Sequence, residues 1–357
     1  MRDYMICNGV PLYPEAPVSS YLLETQMAEV VKAITDFPAK EKYLVICREQ
    51  AGAIDDSNFK TIITEDMGGF VFGNETAVAK ILDGEKPIPT GMDTQLSMCS
   101  VESLLKSQLK YIYVDGAVKK SGMRSCQKKI RPREILALCE MQDTFKGMYF
   151  GYPMGYIISK EQLEEEIELT TDYILILGEG DCVLDKLVEI AKKFEAESCG
   201  RCVFGHEGTA QIQMLLSDIS QKKGTMQDIE LLLELCETME HHSLCEIGQA
   251  AARVVLTAIE NFGVEIEEHI TKKSCKAGIC SKFVTYHILA DVCTGCNECQ
   301  EECPEDAIAG KNRFVHVIDQ DECISCGICI NACEEGAIVK AGAIKPRCPK
   351  KPIPCKK

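Results

Sequence analysis

Eight cysteines between positions 293 and 333 constrain this chain more than any other feature. They form two copies of one run, DVCTGCNECQEECPEDAI at 291–308 and DECISCGICINACEEGAI at 321–338, offset by thirty residues in the cysteine positions. Each copy reads C-x₂-C-x₂-C-x₃-C. Spacings this short let three thiolates of one loop face one cubic cluster, while the fourth cysteine projects toward the other. The predicted ligand sets are therefore crossed. Cys293, Cys296, Cys299 and Cys333 are expected to hold one 4Fe-4S cluster, and Cys323, Cys326, Cys329 and Cys303 a second. Pro304 follows Cys303 as in the usual run, whereas Glu334 after Cys333 departs from it without removing a ligand. Zinc also accepts four thiolates, but it would not require a doubled run with an exchanged fourth ligand. Each copy is expected to be one half of a pseudo-symmetric fold.

The remaining composition sets the context. A chain of 357 residues exceeds one ordinary core, so two or three domains are expected. The 22 cysteines point to metal ligation in a compartment that keeps thiols reduced, rather than to a disulfide framework. No apolar run is long enough to span a bilayer, and MRDYMICNGVPLYPEAP lacks the layout of a signal peptide, so a cytoplasmic protein without a membrane role is expected. A net charge of −16 argues against non-specific nucleic-acid binding, which needs a basic footprint.

Along the chain, residues 19–35 have helical periodicity, and YLVICRE at 43–49 reads as a buried strand. MGGFVFGNETAVAKIL at 67–82 reads as strand, turn and helix. Short strand candidates (YIYVDGAV, GMYFGY, GYIIS) then alternate with turns and one helix around 132–141, before the buried strand YILILGEG at 173–180. Helical periodicity dominates from Asp181 to about 266, and the Pro- and Lys-rich tail KPRCPKKPIPCKK reads as an extended arm.

ESCGRCVFGHEGT at 197–209 and SLCEIGQAA at 243–251 bring in a resemblance. They are similar to the cluster-binding helical domain of the flavin- and NADH-binding subunit of respiratory complex I. They are closer still to the beta subunit of electron-bifurcating hydrogenases, which also ends in a two-cluster bacterial ferredoxin preceded by a C-x-AG-x-C segment. The resemblance runs from about Asn58 to Val339 and implies an α+β multidomain chain. Its expected parts are a truncated remnant of an α/β flavin domain (1–102), a β-grasp-like, ubiquitin-like insert (103–178) and a helical iron–sulfur bundle (179–270). A linker and ferredoxin domain (271–342) and the basic tail (343–357) complete it.

Two departures qualify what the resemblance implies. The family's helical domain holds a 4Fe-4S cluster on four cysteines. Here Cys199, Cys202 and Cys245 match, but Gly205 stands at the third cysteine and His206 at the family's arginine. A third cluster would take its fourth ligand from His206, Cys236 or solvent; a smaller cluster, or plain buried cysteines, are the alternatives. The family's Gly-rich loop and acidic segment for FMN and NADH have no counterpart in residues 1–57. GGFVFGNETAVAKILDGEKPIP at 68–89 resembles the family's next segment, with Asn74 replacing the first glutamate of a pair, while Cys99 and Ser100 replace paired asparagines. The expectation is a chain without FMN.

One more constellation stands out. His269, Cys275 and Cys280 follow H-x₅-C-x₄-C, and Cys182 opens a helix where hydrogenase-type relatives also tend to have cysteine. Together they suit tetrahedral, structural zinc. Cys7, Cys47, Cys99, Cys126, Cys139, Cys348 and Cys355 show no ligand spacing. The reading as a whole is an electron-relay subunit of a cytoplasmic multi-subunit oxidoreductase, with no catalytic residue of its own. Its partners would be flavoprotein or metalloenzyme subunits. The rival is a chain that itself binds FMN and oxidises NADH.

Overall fold

A computed structural model describes residues 4–54, 57–65, 69–90, 97–141, 144–342 and 345–356. The chain divides into two compact units. One comprises Met1–Glu179, Glu189–Met214 and Ile229–Phe262; the other comprises Gly180–Val188, Leu215–Asp228 and Gly263–Lys357.

The first unit begins with a four-stranded parallel sheet. Tyr4–Asn8 lies between Glu41–Cys47 and Met98–Ser100, and Lys60–Thr64 forms the edge beside Glu41–Cys47. Tyr4–Asn8 is buried at every position, as a central strand covered on both faces requires. The helical reading of 19–35 resolves into two helices, Val18–Thr25 and Met27–Asp36, broken at Gln26 (φ −131°, ψ 34°), whose side-chain amide donates to Tyr111. Leu22, Leu23, Val30 and Ile34 of these helices pack on Met5, Cys7, Leu44 and Ile46 of the sheet.

The strand expected within 67–82 is not found among the described residues, Met67 and Gly68 lying outside them. Phe70–Gly73 is a 3₁₀ turn that buries Phe70 and Phe72, entered through Gly69 at φ +146°. The helix Glu75–Leu82 comes next, capped by the Asn74 side chain, which accepts from the Ala77 N–H.

The second sheet runs in the order Gly122–Gln127, Leu109–Gly116, Tyr173–Gly178, Phe145–Phe150, Tyr156–Ile158. Leu109–Gly116 and Tyr173–Gly178 are parallel and the remaining pairs antiparallel. Leu109–Gly116 alternates buried and half-buried residues; Tyr173–Gly178, between two neighbours, is buried throughout. Ile112, Val114, Met148, Phe150, Ile174 and Ile176 form its core with Ile135 of the helix Pro132–Ala137. Lys110 is buried with its ammonium between Glu102 and Asp172, 2.5 Å from the latter. Burial lowers its proton affinity, but the two carboxylates outweigh that and hold it charged.

The helices Val183–Glu197, Thr209–Ser220, Met226–His242 and Glu246–Thr271 come after this sheet, the last interrupted by non-helical backbone at Phe262. Beyond them the thirty-residue repeat is visible in the backbone. Left-handed conformations occur at Gly295 and Ser325, at Asn297 and Gly327, and at Asp306 and Gly336. Each is a repeat-related pair, so the two loops turn in the same places although the residue types differ. Short helices, Glu298–Glu301 and Ile328–Ala332, start after the second of these turns. Strands Thr285–Ile288 and Ile338–Ala341 pair antiparallel, as do Ile308–Ala309 and Val317–Ile318. The tail is not a free arm over its whole length: Ile353–Pro354 pairs with Phe314–Val315, and the Cys355 N–H donates to the Arg313 carbonyl.

Replacing Lys110 by methionine leaves Glu102, only 14% exposed, without its counter-charge. Removing one partner of a buried ion pair costs several kcal/mol. We expect the Lys110→Met chain to lose about 3 kcal/mol of stability, read as a lower urea midpoint with an unchanged denaturant slope.

Candidate metal centres

The short loops of the repeat carry their cysteines to the walls of two small recesses. One is lined by Cys293, Cys296, Cys299 and Cys333, together with Ile288, His316, Ala337 and Ile338. The other is lined by Cys303, Cys323, Cys326 and Cys329, with Tyr286, Ala307, Ile308 and Ile318. Sequence spacing grouped the cysteines in these same crossed sets. Burial, then the neighbouring thiols, push Cys299 up to about 12, and the same causes push Cys329 up to about 11. Four thiolates drawn this close need a compensating positive charge. A cluster of iron ions supplies one, and the donor set and apolar enclosure fit it. A backbone N–H, that of Ala337, already points at the Cys333 sulfur at 3.3 Å.

The tail contributes here. Cys355 packs against the apolar core that includes Cys299 and Cys293, and its thiol is raised by burial and then by Cys293 beside it. Lys356 pairs with Asp291 at 2.5 Å. Cys348, by contrast, lines an open groove with Lys345, Lys350 and His287.

Cys182, His269, Cys275 and Cys280 come together although 98 residues separate the first from the last. All four are buried and their ligand atoms lie within 4.8 Å of one another. Cys182 Sγ stands 3.4 Å from His269 Nε2 and 3.5 Å from Cys280 Sγ, and Cys280 Sγ stands 3.6 Å from Nε2. Around zinc at about 2.3 Å from sulfur, tetrahedral ligand atoms stand roughly 3.5–3.8 Å apart. The three distances among Cys182, Cys280 and His269 match that spacing to within a few tenths of an ångström, and Cys275 Sγ lies within 4.8 Å of each. His269 Nδ1 donates to the Glu265 carbonyl at 2.8 Å, one helical turn back, which leaves Nε2 free to face the sulfurs. Burial pulls the imidazole down, but the thiols of Cys182 and Cys275 outweigh it and raise it to about 10. Hydrogen bonds from Cys182 and Cys280 pull the Cys275 thiol down.

In the helical part, Cys199 is exposed, Cys202 half-buried and Cys245 buried. Burial pushes the Cys245 thiol up, the backbone N–H groups of Ile247 and Gly248 pull it back, and Cys202 and Cys199 push it further. The three therefore act on one another. Phe204–Gly208 winds as a π-turn, and the Gly205 N–H donates to the Cys202 sulfur at 3.2 Å. Of the proposed fourth ligands, His206 has a side chain 58% exposed, 3.8 Å from Glu207. Cys236 is fully buried, and the influences on its thiol are burial and Glu240, with none of the three cysteines among them. Sequence reading missed Ser243, whose buried hydroxyl has no hydrogen-bond partner and would meet a Cβ at Gly248 at 2.5 Å.

Residues 185–269 match the NADH-ubiquinone oxidoreductase-F iron–sulfur binding region, and 292–338 match the 4Fe-4S dicluster domain. The chain is 25% identical to NADP-reducing hydrogenase subunit HndC of Solidesulfovibrio fructosivorans, covering 88% of this chain and 78% of that one. It is 24% identical to the F-type subunit of NADH-quinone oxidoreductase in Streptomyces coelicolor, over 58% of this chain and 56% of that protein. The chain is homologous to these subunits. It thus spans little more than half the length of the NADH-quinone oxidoreductase relatives it matches, and about four-fifths of HndC. Among solved structures, NAD+-reducing NiFe-hydrogenase in the H2-reduced state shares the fold, with a TM-score of 0.66 at 19% identity over 75% of this chain and 56% of that one. Among the described residues, no helix is long and apolar enough to cross a membrane.

Two cysteines of the helical part differ sharply in access. In metal-free chain at neutral pH, iodoacetamide is expected to alkylate exposed Cys199 at once. Cys236, buried and pushed up to about 12, should react only after unfolding, and peptide mass spectrometry reads the order.

Proposed function

We propose that this chain is an iron–sulfur electron-transfer subunit of a cytoplasmic multi-subunit oxidoreductase. It relays electrons to or from flavoprotein or hydrogenase-like partner subunits. The observation that carries the reading is the pair of recesses, each closed by three cysteines of one repeat and the fourth of the other. Cys293, Cys296, Cys299 and Cys333 hold one 4Fe-4S cluster; Cys323, Cys326, Cys329 and Cys303 hold the second. When bound, the clusters supply one-electron carriers, and the protein's part is to enclose them and aim N–H groups at sulfur. The names of the homologues, subunits of an NADP-reducing hydrogenase and of NADH-quinone oxidoreductase, support a place in such a complex.

Cys199, Cys202 and Cys245 hold a third iron–sulfur centre with an incomplete cysteine set. Cys182, His269, Cys275 and Cys280 hold structural zinc, supported by their closed and buried geometry. We read the parallel sheet as the remnant of a flavin domain (1–102) and the five-stranded mixed sheet as the β-grasp-like insert (103–178). FMN has no place in this reading. The helix after the Gly-rich turn has a first-turn N–H, that of Ala77, engaged by the Asn74 side chain, which supports that view.

Metal analysis of anaerobically purified chain tests the assignment. About eight irons and one zinc per chain are expected from the ferredoxin and zinc sites, and up to about twelve irons with a full third cluster. Released FMN at one per chain in the acid supernatant would favour the NADH-oxidising alternative. The crossed ligation gives a sharper outcome. Cys303→Ala should remove the EPR signal of the cluster on Cys323, Cys326 and Cys329, and spare the one held by its own sequence neighbours. Cys275→Ala should lose the zinc and several degrees of Tm with the iron content unchanged.

A further inference from the structure

Buried polar side chains in folded proteins have hydrogen-bond partners, so one without a partner points to something that binds there. Among the described residues, the buried side-chain atoms lacking one are Ser243 Oγ, Asn297 Oδ1 and both ring nitrogens of His316. All belong to cysteine neighbourhoods. Ser243 precedes Cys245 by two residues, Asn297 sits between Cys296 and Cys299, and His316 lines the recess of Cys293, Cys296, Cys299 and Cys333.

His316 leaves the most unanswered. It is 1% exposed, and its ring is seated so closely on Gly310 that a Cβ there would fall 2.1 Å from Cδ2. The imidazole therefore has little freedom to turn toward another partner. Burial holds its proton affinity down; the Phe314 carbonyl pulls the other way without reaching hydrogen-bond geometry. A neutral ring retains one N–H donor.

The thirty-residue repeat supplies a control inside the molecule. Most wall positions of the two recesses correspond pairwise and match in kind: Ile288 with Ile318, Ala337 with Ala307, Ile338 with Ile308. Among the pairs that differ, His316 in the first recess corresponds to Tyr286 in the second. On the loops, Thr294 corresponds to Ile324, and Pro304, Gly327 and Ile328 line the second recess where Glu334, Asn297 and Glu298 stand at the matching positions of the other copy. One recess thus has an orphaned nitrogen donor in its wall where its twin has a phenol ring.

We propose that His316 donates a hydrogen bond to sulfur of the cluster held by Cys293, Cys296, Cys299 and Cys333, and thereby sets that cluster's reduction potential above its twin's. The inference rests on the reading of these cysteines as cluster ligands. A donor at sulfur stabilises the reduced, more negative state, so the potential rises. Electrons entering the pair would then settle on the His316 side, giving a symmetric module a direction.

The test is an EPR-monitored redox titration of the full chain, purified anaerobically, with iron and acid-labile sulfide measured on each sample. The wild-type chain should show two midpoints. In His316→Leu the higher one should move to more negative potential while the lower stays in place, and His316→Gln, which keeps an N–H, should retain part of the difference. Unchanged midpoints in His316→Leu, or an equal displacement of both, would overturn the proposal. Pulsed EPR on wild-type chain labelled with ¹⁵N-histidine gives an answer even where a variant fails to assemble. Nitrogen coupling to one reduced cluster is expected, and its absence overturns the role of His316. A wild-type chain with neither iron nor sulfide would instead overturn the ligand reading itself.

Discussion

Sulfur atoms crowded into an apolar recess repel once ionised, and much of the carboxyl-terminal unit is arranged around that fact. Cys299 and Cys329, the most buried cysteines of the two sets, are pushed up by burial and by their neighbours' charge. No cationic side chain lines either recess to offset such crowding; besides the cysteines the walls are mainly isoleucine and alanine, with His316 in one and Tyr286 in the other, and Glu335 and Glu305 add negative charge. A metal centre of net positive core charge offsets it. The left-handed turns at Gly295, Asn297, Ser325 and Gly327 arise from the same demand, because only a tightly coiled loop brings three sulfurs to one point. The tail strand Ile353–Pro354 then lies against Phe314–Val315, with Cys355 beside Cys293.

The same electrostatic logic separates the other two cysteine groups. At Cys182, His269, Cys275 and Cys280 the ligand atoms are buried, close and oriented by a carbonyl behind the imidazole, as a closed structural site requires. At Cys199, Cys202 and Cys245 the set is graded from exposed to buried and lacks a fourth thiol where Gly205 stands. That glycine leaves the backbone N–H aimed at Cys202 and no side chain to fill the corner. A centre there would be open to solvent on the Cys199 side, and therefore more labile than the enclosed pair.

How much of this was legible beforehand depended on distance along the chain. The cysteines of the repeat fall from spacing alone into the same sets that line the two recesses, because their geometry is local, with only the exchanged fourth member reaching across the repeat. His269, Cys275 and Cys280 were legible for the same reason; Cys182, far upstream, was singled out through a resemblance. Strands such as Tyr173–Gly178 announced themselves by continuous apolar residues. The break at Gln26 and the 3₁₀ turn at Phe70–Gly73 did not, because both are decided by where neighbouring side chains are buried rather than by local periodicity.

His316 marks the limit most clearly. In the sequence it is one histidine in a short apolar strand, with no partner spacing to single it out. Its meaning comes from Gly310 against its ring, four cysteines across the recess and Tyr286 in the twin position. The sequence by itself determined the kind of chemistry, because thiolate spacing encodes which sulfurs one cluster is able to reach. Only the tertiary structure decided which other groups face those sulfurs. Burial and orientation are properties of packed elements brought together from distant positions, and no local pattern records them.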